Sequence, residues 1–242
     1  DDDVLVQAIT LTQSDDYVPG TPIIINGSDF PGDGKIALII DARNLPPDVN
    51  IKIDNIAFAA IINVDSITGG AGRNFIMSDH REQFSLTGAD DDILFSGDGD
   101  DTIGSLGGDD RVSGEAGNDI VYGSIGNDTL IGGTENDMLN GGFGFDSAIQ
   151  PGQLMDYRVT VNGDQVTLTH QNGETDTLTD IELVQFENGP SLAIAHSTNE
   201  VVAHHLVKTW LGRDLTIVEG NAVQNWKDAG SNDIVTVFQQ LP

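Results

Sequence analysis

Between Gly69 and Ile149 the chain divides into nine consecutive nonapeptides without an insertion, and seven of them carry aspartate at the sixth position. In order they are GGAGRNFIM, SDHREQFSL, TGADDDILF, SGDGDDTIG, SLGGDDRVS, GEAGNDIVY, GSIGNDTLI, GGTENDMLN and GGFGFDSAI. The sixth-position acids are Asp92, Asp101, Asp110, Asp119, Asp128, Asp137 and Asp146. An unbroken period of nine restricts the fold to stacked units. Each nonapeptide has too little apolar surface to bury alone and gains a core only against its neighbours.

The repeat has a physical logic of its own. Glycine at positions 1, 2 and 4 opens backbone conformations closed to residues with a Cβ, so the first six residues suit a tight turn. The last three suit a short strand. Position 8 supplies an apolar stripe of Ile76, Leu94, Ile103, Val112, Val121, Leu130 and Leu139, with Ser85 and Ala148 as weak members. We expect that stripe to form one interior line. A core so thin needs a second source of cohesion, and the acids are the abundant candidate.

With two nonapeptides per coil, sixth-position residues form two ladders. One holds Asn74, Asp92, Asp110, Asp128 and Asp146; the other holds Gln83, Asp101, Asp119 and Asp137. Adjacent strands lie about 4.8 Å apart, so successive carboxylates repel unless a cation lies between them. Hard oxygen ligands without cysteine or a histidine pattern favour Ca²⁺ over zinc, copper or the stricter octahedral Mg²⁺. Without a cation the same composition reads as an expanded acidic chain.

On these residues the segment 69–149 resembles the repeats-in-toxin (RTX) family of secreted bacterial proteins. The resemblance implies a mainly β protein: a right-handed parallel β-roll (RTX solenoid) with β caps and a short helical C-terminal segment. It also implies one calcium between the turns of repeats n and n+2. The earlier turn gives carbonyls at positions 2 and 4 and its aspartate; the later gives carbonyls at positions 1 and 3 and its own. Carried over, the first site takes Gly88, Asp90, Asp92, Ser105, Gly107 and Asp110, and the second Gly97, Gly99, Asp101, Gly114, Ala116 and Asp119. The third takes Leu106, Gly108, Asp110, Gly123, Ile125 and Asp128, and the fourth Glu115, Gly117, Asp119, Gly132, Thr134 and Asp137. The fifth takes Ser124, Gly126, Asp128, Gly141, Phe143 and Asp146. A site between Asn74 and Asp92 would make six ions, whereas Arg81 argues against one between Gln83 and Asp101. Leu106, Glu115 and Glu135 occupy glycine positions and are expected to strain their turns.

A formal net charge of −29, from 10 basic and 39 acidic residues, argues against nucleic acid and anionic membrane surfaces as partners. No apolar run approaches the roughly 18 residues of a membrane span, so membrane insertion is not expected. The opening DDDVLVQ lacks the basic and apolar regions of a signal peptide. Absence of cysteine is compatible with a protein held by metal rather than disulfides. Calcium sites of the extracellular-module type fill at about 10⁻⁴–10⁻³ M, which points to a secreted or cell-surface location.

Four regions follow. Residues 1–68 alternate apolar runs with turn clusters and read as a β region capping the roll; 69–149 are the roll. Residues 150–195 read as a C-terminal β cap, with hairpin signals at Asn162-Gly163 and Asn172-Gly173. In that cap Asp176 and Glu182 are candidates to join a calcium site, with solvated surface as the preferred expectation. Residues 196–242 change to a helical period (Val202, Leu206, Trp210) and resemble a small helical module of secreted bacterial proteins, in which His204 and His205 read as surface or packing residues.

No HExxH, G-x-S-x-G or cysteine nucleophile is present, so an enzyme is not expected. The expected function is a calcium-binding module of an exported bacterial protein that folds outside the cell and supports type I secretion. Its partners would then be calcium and the secretion machinery. The alternative is a structural or adhesive surface-layer, sheath or adhesin component, with cell-surface components or self-association as partners.

Overall fold

The computed structural model describes residues 5–12, 18, 20–27, 36–46, 49–162 and 165–194. The helical reading of 196–242, with His204 and His205, lies outside them. Among the described residues there is no α-helix; a 3₁₀ turn covers Leu154–Asp156.

The chain is built of short strands that alternate between two sheets. Before the repeats come β1 (Leu5–Thr12), β2 (Ile23–Asn26), β3 (Ile36–Asn44), β4 (Asn50–Asp54), β5 (Phe58–Ile62) and β6 (Ser66–Gly69). The repeats supply β7 (Phe75–Met77), β8 (Phe84–Leu86), β9 (Ile93–Phe95), β10 (Thr102–Gly104) and β11 (Arg111–Ala116). They continue as β12 (Ile120–Ile125), β13 (Thr129–Thr134), β14 (Met138–Phe143) and β15 (Ser147–Gln150). Beyond them lie β16 (Tyr157–Asn162), β17 (Gln165–His170), β18 (Thr175–Thr179), β19 (Leu183–Phe186) and β20 (Leu192–Ala193). One sheet runs β1-β3-β5-β7-β9-β11-β13-β15-β19-β20, the other β16-β17-β18-β14-β12-β10-β8-β6-β4-β2. From β1 to β15, and on to β18 and β19, every pairing is parallel. The fold is a parallel β-roll of two sheets.

Within the repeats, partners lie 18 residues apart, so two nonapeptides make one coil. The position-8 side chains are all buried, but on two facing lines rather than one. Ile76, Leu94, Val112, Leu130 and Ala148 project from one sheet; Ser85, Ile103, Val121 and Leu139 project from the other. Strands β1–β6 belong to the same sheets and thicken this core. Ile51 and Ile53 of β4, Leu38 and Ile40 of β3, and Ala59 and Ile61 of β5 each put two side chains inside, where a three-residue repeat strand puts one. At the other end, β18 adds to β14 and β19 to β15, while β16 and β17 extend the second sheet as antiparallel hairpins. The first hairpin pairs Asn162 with Gln165, so Asn162 ends a strand. Gly173 turns the second at φ 104°.

Candidate metal centre

The sixth-position acids follow one rule of hydrogen bonding. Each accepts, through Oδ1, the backbone N–H of the sixth residue one coil earlier. On the first ladder Asn74 donates to Asp92 (2.7 Å), Asp92 to Asp110 (2.6 Å), Asp110 to Asp128 (2.8 Å) and Asp128 to Asp146 (2.8 Å). On the second Gln83 donates to Asp101 (2.7 Å), Asp101 to Asp119 (2.8 Å) and Asp119 to Asp137 (2.9 Å). One carboxylate oxygen per acid is thus committed to the turn of the neighbouring coil.

The other oxygen is the informative one. Oδ2 of Asp101, Asp110, Asp119, Asp128, Asp137 and Asp146 is buried and has no hydrogen-bond partner. Orphaned buried carboxylate oxygens are costly unless something cationic completes them. Burial pushes the carboxyl of Asp146 up to about 8, those of Asp101, Asp128 and Asp137 to about 7, and those of Asp110 and Asp119 to about 6. Burial also raises Asp92, whose Oδ2 accepts the Gly88 N–H at 3.0 Å. Protein that stacks carboxylates in this way and leaves them near neutrality is poised for a cation.

The main chain converges on the same places. A Cβ at Gly114 would collide with Asp119 Oδ2 and the Gly132 carbonyl, and one at Gly123 with Asp128 Oδ2 and the Gly141 carbonyl. Carbonyls of Asp90, Gly99, Gly108, Glu115, Ser124 and Gly126 lie against the glycines of the following coil. Among the described residues no three acidic or histidine side chains form a metal-holding group. The donors that converge here are carboxylate and backbone oxygens, the kind a hard cation such as Ca²⁺ prefers. The residues fit the group.

Several carbonyls of the expected ligand sets also accept hydrogen bonds between coils. Leu106 N–H donates to the Gly88 carbonyl, Ala116 to Gly97, Gly99 to Ala116, Gly117 to Thr134 and Gly126 to Phe143. Serine hydroxyls at position 1 do likewise, Ser96 to Gly114 (2.8 Å) and Ser105 to Gly123 (2.7 Å). Gly107 lies beside the Ile125 carbonyl. Glu115 (φ 73°) and Glu135 (φ 85°) adopt the left-handed backbone expected of them, and Ser124 (φ 76°) joins them. Leu106 is not among the residues with positive φ, so its turn escapes the strain expected from its glycine position.

Two features depart from the preferred sequence expectation. First, Asp176 and Glu182 are not solvated bystanders. Asp176 is only 6 % exposed and accepts the Asp137 N–H at 3.1 Å, and Glu182 Oε2 accepts the Asp146 N–H at 2.8 Å. They continue the two ladders beyond the repeats. Second, position 5 forms an outer ladder of opposite sense. Asp91 accepts the N–H of Asp109, Asp100 that of Asn118, Asp109 that of Asn127, Asn118 that of Asn136, and Asn127 that of Phe145. The recurring Asp-Asp and Asn-Asp pairs were its visible signal.

No curated protein matches the chain. Residues 64–79, 86–112, 104–139 and 113–148 match the RTX calcium-binding nonapeptide repeat in four copies. With the stacked, half-satisfied aspartates inside a two-sheet roll, the match identifies the segment from 64 to 148 as a run of RTX calcium-binding nonapeptide repeats.

Proposed function

We propose that the roll is the calcium-dependent folding module of an exported bacterial protein, extended in the cytosol and condensed outside it. The observation that carries this reading is the set of six buried, unpartnered Oδ2 atoms repeated along both ladders. Each calcium would be held by two aspartates of successive coils and by the position 2, 4, 1 and 3 carbonyls, in the five sets from Asp92/Asp110 to Asp128/Asp146. When bound, calcium supplies charge neutralisation and a shared oxygen shell between coils.

The chain's own residues supply the rest. Repeat strands of three to six residues, each with at most one apolar interior side chain, bury little against a backbone ordering cost of about 1–2 kcal/mol per residue. Cations that bind only the rolled state add their binding free energy to folding. At low cytosolic calcium the ladder repulsion is unrelieved, which suits passage through a type I secretion channel. The reading assigns no catalysis to the chain.

Circular dichroism of the full chain, calcium-stripped and then in millimolar calcium, tests it. Calcium should produce the β-spectrum of the repeats. A spectrum identical in both conditions would leave calcium no role in folding.

A structural role at the cell surface is the second reading. It is favoured by the apolar outer face of the first sheet, where Val6, Ile39 and Met77 are exposed and Phe58, Phe75 and Phe95 stack in series. A calcium-dependent lattice or filament in electron micrographs would support it.

A further inference from the structure

The surroundings of the first-position glycines define a recurring arrangement that does not stop at the last repeat. At Gly114 and Gly123, the space a Cβ would fill is bounded by the orphaned Oδ2 of that repeat's aspartate and by the first-position carbonyl of the next coil. At Gly141, in the ninth repeat, the same space is bounded by Asp146 Oδ2 and by the carbonyl of Asp180. Asp180 belongs to no nonapeptide.

The chain reaches this arrangement by a different route. Asn140 lies opposite Thr179 and Ser147 opposite Leu183. Between those paired positions the repeat uses residues 141–146, whereas the cap uses only Asp180, Ile181 and Glu182. Asp180 sits at φ 50°, a left-handed conformation suited to so short a turn. The ladder residue is glutamate here, and its extra methylene brings Oε2 to the Asp146 N–H at 2.8 Å. Asp146 itself is fully buried, with Oδ2 unpartnered.

We propose that the carboxylates of Asp146 and Glu182 and the carbonyl of Asp180 form a further calcium site, which closes the first ladder on the cap. The inference rests on the calcium-binding reading of the repeats. Asp146 then serves two cations, as Asp110, Asp119 and Asp128 do. A search for nonapeptides overlooks this site because half of its turn is missing.

The test is calcium stoichiometry by native mass spectrometry on the full chain and on Glu182→Gln, which keeps a carbonyl oxygen to accept the Asp146 N–H. The variant should bind one ion fewer per chain. An unchanged count overturns the proposal. Should Glu182→Gln fail to fold, anomalous scattering from terbium-soaked crystals of the unaltered protein decides. A peak bounded by Asp146, Asp180 and Glu182 supports the site, and its absence while peaks fill the repeats overturns it. If the unaltered chain binds no calcium anywhere, the underlying reading fails as well, a result distinct from the loss of this one site.

Discussion

Arg81 reaches back one coil to Asp65, with Nη2 2.7 Å from Oδ1. Its Nη1 also donates to Asn63 Oδ1 at 2.9 Å. Since Ser66 pairs with Phe84, Asp65 lies opposite Gln83 and so belongs to the second ladder, one coil before the repeats. Here a guanidinium stands where later coils present only oxygen. Gln83 adds Nε2 to Asp79 Oδ1 (2.7 Å), and Asn74 adds Nδ2 to the Ile56 carbonyl (3.2 Å). Side-chain donors and a thicker hydrocarbon core close these coils.

Strands β3–β7 should therefore persist without calcium. Hydrogen exchange of the calcium-stripped chain is expected to show slow amides across residues 36–77 and fast ones across 93–149. Uniformly fast exchange would mean that the early coils also depend on metal.

Asp119 carries two separable duties, charge between coils and an acceptor for the Asp101 N–H. Asp119→Asn should lower calcium affinity while keeping the acceptor. Asp119→Ala should lose both, and the orphaned buried N–H adds a further loss of about 1–3 kcal/mol. Calcium titrations followed by denaturant unfolding in saturating calcium would separate the two. Equal stability of the variants would show that the hydrogen bond contributes nothing.

Acid should partly replace calcium. The carboxyls of Asp101, Asp110, Asp119, Asp128, Asp137 and Asp146 are raised by burial to between about 6 and 8, against an ordinary value near 4. The metal-free roll then holds more protons than the unfolded chain across that window. Its stability is fully present at the acid end and is lost as pH rises through the folded values. The calcium-stripped chain is expected to gain β-structure on going from pH 8 to pH 5, and calcium to bind more weakly at pH 5 because it must displace protons. A metal-free spectrum indifferent to pH would contradict this.

Two glycines with positive φ should respond differently to alanine. Gly72 (φ 83°) has open space around its Cβ direction, so Gly72→Ala should cost only the left-handed strain, roughly 1–2 kcal/mol. At Gly126 (φ 146°) a Cβ would run into the Gly108 carbonyl. Gly126→Ala should abolish the calcium-induced spectrum over the central repeats, because neither backbone can withdraw without separating the coils.

The period of nine made the roll and its two ladders legible, since position 6 and position 8 each repeat a single chemical demand. The two facing interior lines follow from the same two-per-coil alternation that splits the ladders, and the single line expected for position 8 overlooked it. For Asp176 and Glu182 the sequence offered both a calcium site and solvated surface and did not decide between them. Their neighbours carry no glycine spacing, and only the pairing of Met138 with Thr177 and of Ser147 with Leu183 brings them onto the ladders. The position-5 ladder was visible in part, as a recurrent Asp or Asn before the ladder acid, but its bonds run against the main ladder and no single repeat implies that direction.

Alternation between two sheets also makes growth of this protein even-numbered. Duplication of two adjacent nonapeptides lengthens both ladders by one rung and delivers Asp176 and Glu182 to the same partners as before. Gain or loss of a single nonapeptide would send every later strand to the opposite sheet. The cap would then arrive with its long hairpin over the wrong ladder and its short turn facing a full one. The heritable unit of such a chain is the pair, although the sequence displays the half.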